Sequence, residues 1–261
     1  MLNIHPVPAF DDNYLWVIED GRHAAAVDPG DAEAVSAFLD ARGLVLAAIL
    51  LTHHHDDHIG GVPTLASRFS CPVIGPDDER VPGRTSTVRE GDTVVVESLG
   101  LQLRVLEVPG HTRSHLAYLS EGNALPPSVF CGDTLFAGGC GRLFEGTPAQ
   151  MRASLAKLAA LPGETRLYCA HEYTLSNLKF ARAVEPGNAA LAAREARETQ
   201  RRARGEPTVP SALADERDTN PFLREGVLEV IASAARHAGR ALDGPDDVFA
   251  AVREWKNGFR A

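Results

Sequence analysis

The chain has 261 residues, 44% of them hydrophobic, and a formal net charge of −9. That composition is ample for a buried core, while the acidic balance argues against nucleic-acid binding, which relies on a basic surface. No run approaches the roughly 18 apolar residues of a membrane span, and MLNIHPVPAF has no basic region followed by an apolar stretch, so a cytoplasmic protein with no membrane partner is expected.

Over the first two-thirds, short β-branched or apolar runs alternate with helical segments, the pattern of an α/β protein. AAAVDPGD predicts a strand ending at Asp28 and a Pro-Gly turn, then a helix over Ala32 to Arg42 with Gly43 as its stop. The strand VLAAILL runs into LTHHHDDHIGG, and Gly60-Gly61 opens the helix VPTLASRF. Further strands are predicted at DTVVVES, LQLRVLEVPG, HLAYLS and PSVFCGD, followed by a helix from Pro148 to Leu161 and a strand in RLYCAHEY. Cys71, Cys131, Cys140 and Cys169 form no CxxC pair along this stretch, which disfavours a disulfide framework or a thiolate zinc site. Beyond about residue 174 the texture becomes helical, in AALAAREARETQRRARGE, GVLEVIASAARHAG and DVFAAVREWKNGF. Between them, the prolines of GEPTVPSALADERDTNPFLR predict loops.

The histidine cluster carries the chemistry. In an extended segment, residues i and i+2 share a side, so His53 and His55 can face one centre while His54 points away. Asp57 and His58 fall where the chain turns and can face a neighbouring centre; Asp56 reads as solvent-facing or as a support for the donors beside it. His111 in PGHTRSH, Asp133 in FCGDTLF and His171 in CAHEY each follow an apolar run, so strands can deliver all three to one sheet edge. Seven donors exceed one closed tetrahedral site and suit a two-metal catalytic centre with Asp133 bridging, although spacing leaves the division of the other six open. Two divalent ions are expected, zinc first, with iron and manganese compatible with the same donors. His115, four residues after His111, reads as structural.

THHHDDHIGG with PGHT, CGDTLF and CAHEYT resembles the metallo-β-lactamase superfamily, and AFDDNYLW, VDPGD, CGRLFEG, HEYTLSNLKFA, TNPFLR and REWKN resemble its glyoxalase II, or hydroxyacylglutathione hydrolase, family. The resemblance runs over essentially the whole chain. It implies an αββα sandwich over residues 1–173, followed by a smaller helical domain over 174–261. By position it assigns His53, His55 and His111 to one metal, Asp57, His58 and His171 to the other, and Asp133 to both. It implies hydrolysis of S-D-lactoylglutathione to glutathione and D-lactate by a metal-bridging hydroxide, the second step of methylglyoxal detoxification. The catalytic carboxylates are then Asp57 and Asp133, and the anionic glutathione moiety falls to Arg142, Tyr173, Arg253 and Lys256. Arg142 stands where many members carry lysine, and Phe144 where some carry tyrosine. A monomer acting on this small molecule is expected. A one-iron persulfide dioxygenase, a β-lactamase and a non-catalytic metal protein are rivals; REWKN and TNPFLR in the tail disfavour the first two, and the full donor set disfavours the third.

Overall fold

A computed structural model of the protein describes residues 2–122 and 124–260. The chain forms two units: one runs to Glu107 and includes Ser114–Gly132 and Tyr168–His171, and the other comprises Val108–Arg113, Asp133–Leu167 and the residues from Glu172 onward.

In the first unit the chain forms β1 (Asn3–Ala9), β2 (Asn13–Glu19), β3 (His23–Val27), α1 (Ala32–Arg42), β4 (Val45–Leu50), α2 (Asp56–Ile59), α3 (Val62–Phe69), β5 (Val73–Gly75), β6 (Ser86–Thr87), β7 (Thr93–Val96), β8 (Leu101–Glu107), β9 (Leu116–Ser120) and β10 (Ser128–Gly132). One sheet runs in the order β1 to β6; β1, β2 and β3 are antiparallel, and the pairs from β3 to β6 are parallel. β3 and β4 read HAAAV and VLAAIL, nearly unbroken apolar runs, because strands in a parallel arrangement are covered on both faces. Val35 and Leu39 of α1 and Val62 and Leu65 of α3 are fully buried in one cluster with Val17, Ala24, Ile49 and Val73. Asp31 caps α1 by accepting from the Glu33 and Ala34 backbone N–H groups, and the helix stops at Gly43 as its sequence predicts.

β7 to β10 form antiparallel neighbours in a second sheet. Two side chains tie it to the first: the Tyr118 hydroxyl donates to the Leu51 carbonyl at 2.7 Å, and Trp16 Nε1 donates to the Cys169 carbonyl at 2.9 Å. Both donors are buried with their polar atoms satisfied, so they fix how the sheets face each other without a desolvation penalty. This is the α/β sandwich that the sequence implies.

The second unit contains β11 (Leu135–Phe136), β12 (Gly139–Cys140), α4 (Pro148–Ala159), the start of β13 (Arg166–Cys169), α5 (Thr174–Val184), α6 (Ala189–Ala203), β14 (Ser211–Ala212), α7 (Leu213–Thr219), α8 (Leu228–Ala238) and α9 (Gly244–Gly258). Thr147 opens α4 with a capping box shared with Gln150. The proline-marked segment is not all loop. Between Pro210 and Pro221 it forms β14 and α7, whose Glu216 is fully buried against Arg194 of α6 and accepts from Ser211 Oγ at 2.7 Å. Tertiary pairing thus makes a helix where the flanking prolines predicted none. The same network grips the β11/β12 hairpin. Glu216 accepts from the Gly138 N–H at 2.8 Å, Asn220 Nδ2 donates to the carbonyls of Phe136 and Gly139 at 3.2 and 2.9 Å, and Asn177 Nδ2 donates to the Ala137 carbonyl at 3.1 Å. Asn220 and Asn177 belong to the TNPFLR and HEYTLSNLKFA motifs, and holding this hairpin is their structural role.

Candidate metal centre and substrate cavity

β4 ends at Leu50, and the chain stays irregular through His55 before α2 turns Asp57 and His58 inward. The turn depends on a close backbone approach: a Cβ on Gly30 would lie 1.8 Å from the Asp57 carbonyl oxygen, so only glycine lets the VDPGD loop pack beneath α2.

Five of the seven predicted donors lie in the first unit. His53 Nε2 and His55 Nδ1 approach to 3.1 Å, whereas His54 turns aside, its Nδ1 3.4 Å from Asp78 Oδ2. Asp78 is held by Arg80, which with the hydrogen bond from Ser114 keeps its carboxyl well below the usual carboxylate range despite burial. Asp57, His58 and His171 bring one donor atom each within 4.8 Å of one another; Asp57 Oδ2 lies 3.5 Å from both His58 Nε2 and His171 Nε2. Donors bound at 2.0–2.2 Å to a tetrahedral ion lie about 3.3–3.6 Å apart, so this spacing fits a first-row divalent metal.

Supporting contacts fit it too. Metal-binding imidazoles characteristically turn their other nitrogen to a carboxylate or carbonyl, which fixes the ring and raises ligand basicity. His58 Nδ1 lies 3.0 Å from Asp28 Oδ2, and His171 Nδ1 hydrogen-bonds Asp12 Oδ1 at 2.8 Å. Asn13 Nδ2 donates to Asp57 Oδ2 at 3.0 Å. Asp28 also accepts from the Thr52 N–H and hydroxyl, each at 2.7 Å, and the same hydroxyl lies 3.0 Å from His53 Nδ1. Asp28 adopts φ 50°, in a left-handed region that aspartate tolerates better than most residues. His115 is fully buried, stacked on His53 at 4.5 Å, and uses Nδ1 on the Leu116 carbonyl at 2.9 Å; it packs against the cluster.

The other two donors, His111 and Asp133, lie in the second unit, with His111 Nε2 3.4 Å from Asp133 Oδ2. His111 Nδ1 lies 2.8 Å from the Arg142 carbonyl, which can only accept, so Nδ1 carries the proton and Nε2 keeps the lone pair a metal needs. These two residues line a cavity of about 440 Å³ together with Cys140, Arg142, Phe144, Tyr173, Arg253 and Lys256. All four predicted glutathione contacts therefore share one wall system with His111 and Asp133. They differ in availability: Arg142 is exposed, Tyr173 and Lys256 are half-buried, and Arg253 is buried. Lys256 Nζ lies 3.3 Å from the Ser176 carbonyl and 5.3 Å from the Phe180 ring centroid; burial, reinforced by neighbouring Arg253, pulls its pKa down to about 8. Phe144, 61% exposed, sets its ring edge-on to His111 and brings no hydroxyl.

A sandwich of this kind with clustered histidines and aspartates that could hold a metal defines a metallo-β-lactamase-type protein, and the model described as metallo-beta-lactamase superfamily matches residues 10–171. A second model, hydroxyacylglutathione hydrolase C-terminus, matches residues 172–259. The hydroxyacylglutathione hydrolase of Cupriavidus taiwanensis is 57% identical over 267 residues, covering 100% of both chains. The chain belongs to the hydroxyacylglutathione hydrolase family. Among solved structures, that of ETHE1 from Myxococcus xanthus superposes with a TM-score of 0.65 at 26% identity and 98% coverage of both chains. TTHA1623 in a di-iron-bound form gives a TM-score of 0.55 at 30% identity, covering 64% of this chain and 91% of that one.

Proposed function

We propose that the protein hydrolyses S-D-lactoylglutathione to glutathione and D-lactate, and that the metal donors are those the sequence singles out. His53, His55 and His111 would hold one divalent ion, Asp57, His58 and His171 the other, and Asp133 both. The observation that carries this reading is the convergence of Asp57, His58 and His171, with Asp28 and Asp12 at the far nitrogens of the two rings. Ions held there would lower the pKa of a water and polarise the thioester carbonyl. Zinc is the expected metal; iron and manganese suit the same donors.

The remaining work falls to the protein's own groups. Asp57, steadied by Asn13, would orient the attacking water as well as bind an ion. Glutathione is anionic, and on a chain of net charge −9 it needs a local cationic site. Arg142 and Lys256 supply one at the cavity wall, with the Tyr173 hydroxyl as a neutral partner and Arg253 behind them. The leaving thiolate, with a pKa near ~8.5, departs without obligatory protonation, so no separate general acid is required. The division we propose assigns metal chemistry to residues 1–173 and a share of glutathione recognition to 174–261. A monomer working in the cytoplasm on a small molecule completes the proposal. No helix among the described residues is long and apolar enough to cross a membrane.

The test is direct: metal-loaded protein should release free thiol and D-lactate from S-D-lactoylglutathione and should lose that activity on chelation. Full turnover after verified removal of both metals would overturn the mechanism.

A further inference from the structure

We propose that Arg253 is a positioning residue for His111, acting through the backbone of residues 140–142; the proposal rests on the ligand role given to His111 above. Arg253 projects from α9 and is only 6% exposed. Its Nη1 donates to the Cys140 carbonyl at 2.8 Å, lies 3.4 Å from the Gly141 carbonyl and 3.6 Å from the Cys140 sulfur. Its guanidinium carbon stands 5.0 Å from the Phe222 ring centroid. Nη1 is satisfied by these carbonyls while Nε is buried without a hydrogen-bond partner, so the buried cation depends on the two carbonyls and holds them in place. This is the environment of a clamp on the backbone, unlike the exposed Arg142 side chain on the same cavity.

What the clamp holds is the support of the metal donors. The next carbonyl, that of Arg142, accepts the His111 Nδ1 proton and so selects the tautomer with Nε2 free to bind. Between them, Gly141 presses on both donors of this unit: a Cβ there would lie 1.9 Å from the Asp133 carbonyl oxygen and 3.2 Å from His111 Nδ1. The Gly141 N–H also donates to the Thr134 carbonyl at 3.1 Å. A shift of the Cys140–Arg142 backbone therefore cannot leave His111 and Asp133 where they are. Arg253 sets that backbone from a helix that begins more than 100 residues later in the chain.

The experiment uses the full-length, metal-loaded protein and compares Arg253→Ala and Arg253→Lys with His111→Ala and Lys256→Ala. Three quantities are read: metal affinity by chelator competition, the His111 Nδ1–H resonance by ¹⁵N-resolved NMR, and kcat and KM separately. Supporting partners of metal ligands typically contribute 10–100-fold in affinity, so Arg253→Ala should weaken metal binding by about that factor. It should also lose or exchange-broaden the Nδ1–H signal and lower kcat more than it raises KM. Arg253→Lys, with a point charge able to reach one carbonyl, should fall between, and it carries the test if the alanine variant does not fold. Lys256→Ala should keep metal and the Nδ1–H signal. Arg253 variants with full metal affinity and an unchanged His111 signal, whatever their KM, would leave Arg253 with a role in the glutathione site alone and overturn the proposal while sparing the metal assignment. Full metal affinity in His111→Ala would instead remove the ligand role on which the proposal rests.

Discussion

The two units build their functional groups in opposite ways. In the first, four of the five predicted donors fall between His53 and His58, and the rings of His53, His58 and His171 are steadied by Thr52, Asp28 and Asp12. In the second, the groups lining the cavity come from positions as far apart as His111 and Lys256. A metal demands short, fixed distances, which one turn of backbone supplies cheaply in conformational entropy. A tripeptide-sized anion demands a wide surface with separated cations, which only distant segments can provide. Damage to the first kind of site should therefore appear as lost metal and lost turnover, and damage to the second as weakened substrate binding.

The largest expected effect is at Asp133, the one donor proposed for both ions. Asp133→Ala should lower metal content and reduce turnover by orders of magnitude, whereas His54→Ala, aimed at Asp78, should retain both metals. Equal metal loss in the two variants would erase the distinction between ligand and neighbour. Smaller, but still confined to metal, is Asp28→Asn. Asparagine tolerates the same positive φ and keeps the shape while removing the charge beside His58 Nδ1. About 10–100-fold weaker metal binding is expected, measured by competition with a chelator; unchanged affinity would demote Asp28 to a backbone brace.

The smallest effect is a pH dependence on the recognition side. Lys256, drawn down to about 8, is cationic below that value and neutral above it. KM for the glutathione thioester should thus be flat in weakly acidic and neutral solution and rise as pH passes through about 8, and Lys256→Ala should remove the rise. An identical pH profile in the variant would assign the titration elsewhere.

How much of this was legible depends on range. The two-residue period of an extended chain separates His53 and His55 from His54, and the structure places them accordingly. The partners that steady the proposed ligands were not legible by spacing: Asp12 is 159 residues from His171 and Asn13 is 44 from Asp57. Their motif, AFDDNYLW, stood out only through resemblance. Arg253 and Lys256, three positions apart, share a helix face as the period predicts. Which of them is buried depends on the Cys140 and Gly141 carbonyls, about 113 residues away, and no local pattern encodes that. The helix α7 was missed for the same reason, since its Glu216 is held by Arg194 of another helix.

The separation of chemistry from recognition is tested most directly by Lys256→Ala assayed on S-D-lactoylglutathione and on a small thioester lacking glutathione, with metal content measured on the same preparation. Losing one hydrogen bond to a charged group, at about 1.5–3 kcal/mol, should raise KM for the glutathione substrate by about tenfold or more. Saturated turnover should fall less, the small thioester should be nearly unaffected, and both metals should remain. Equal losses on the two substrates, or loss of metal from the variant, would contradict the account.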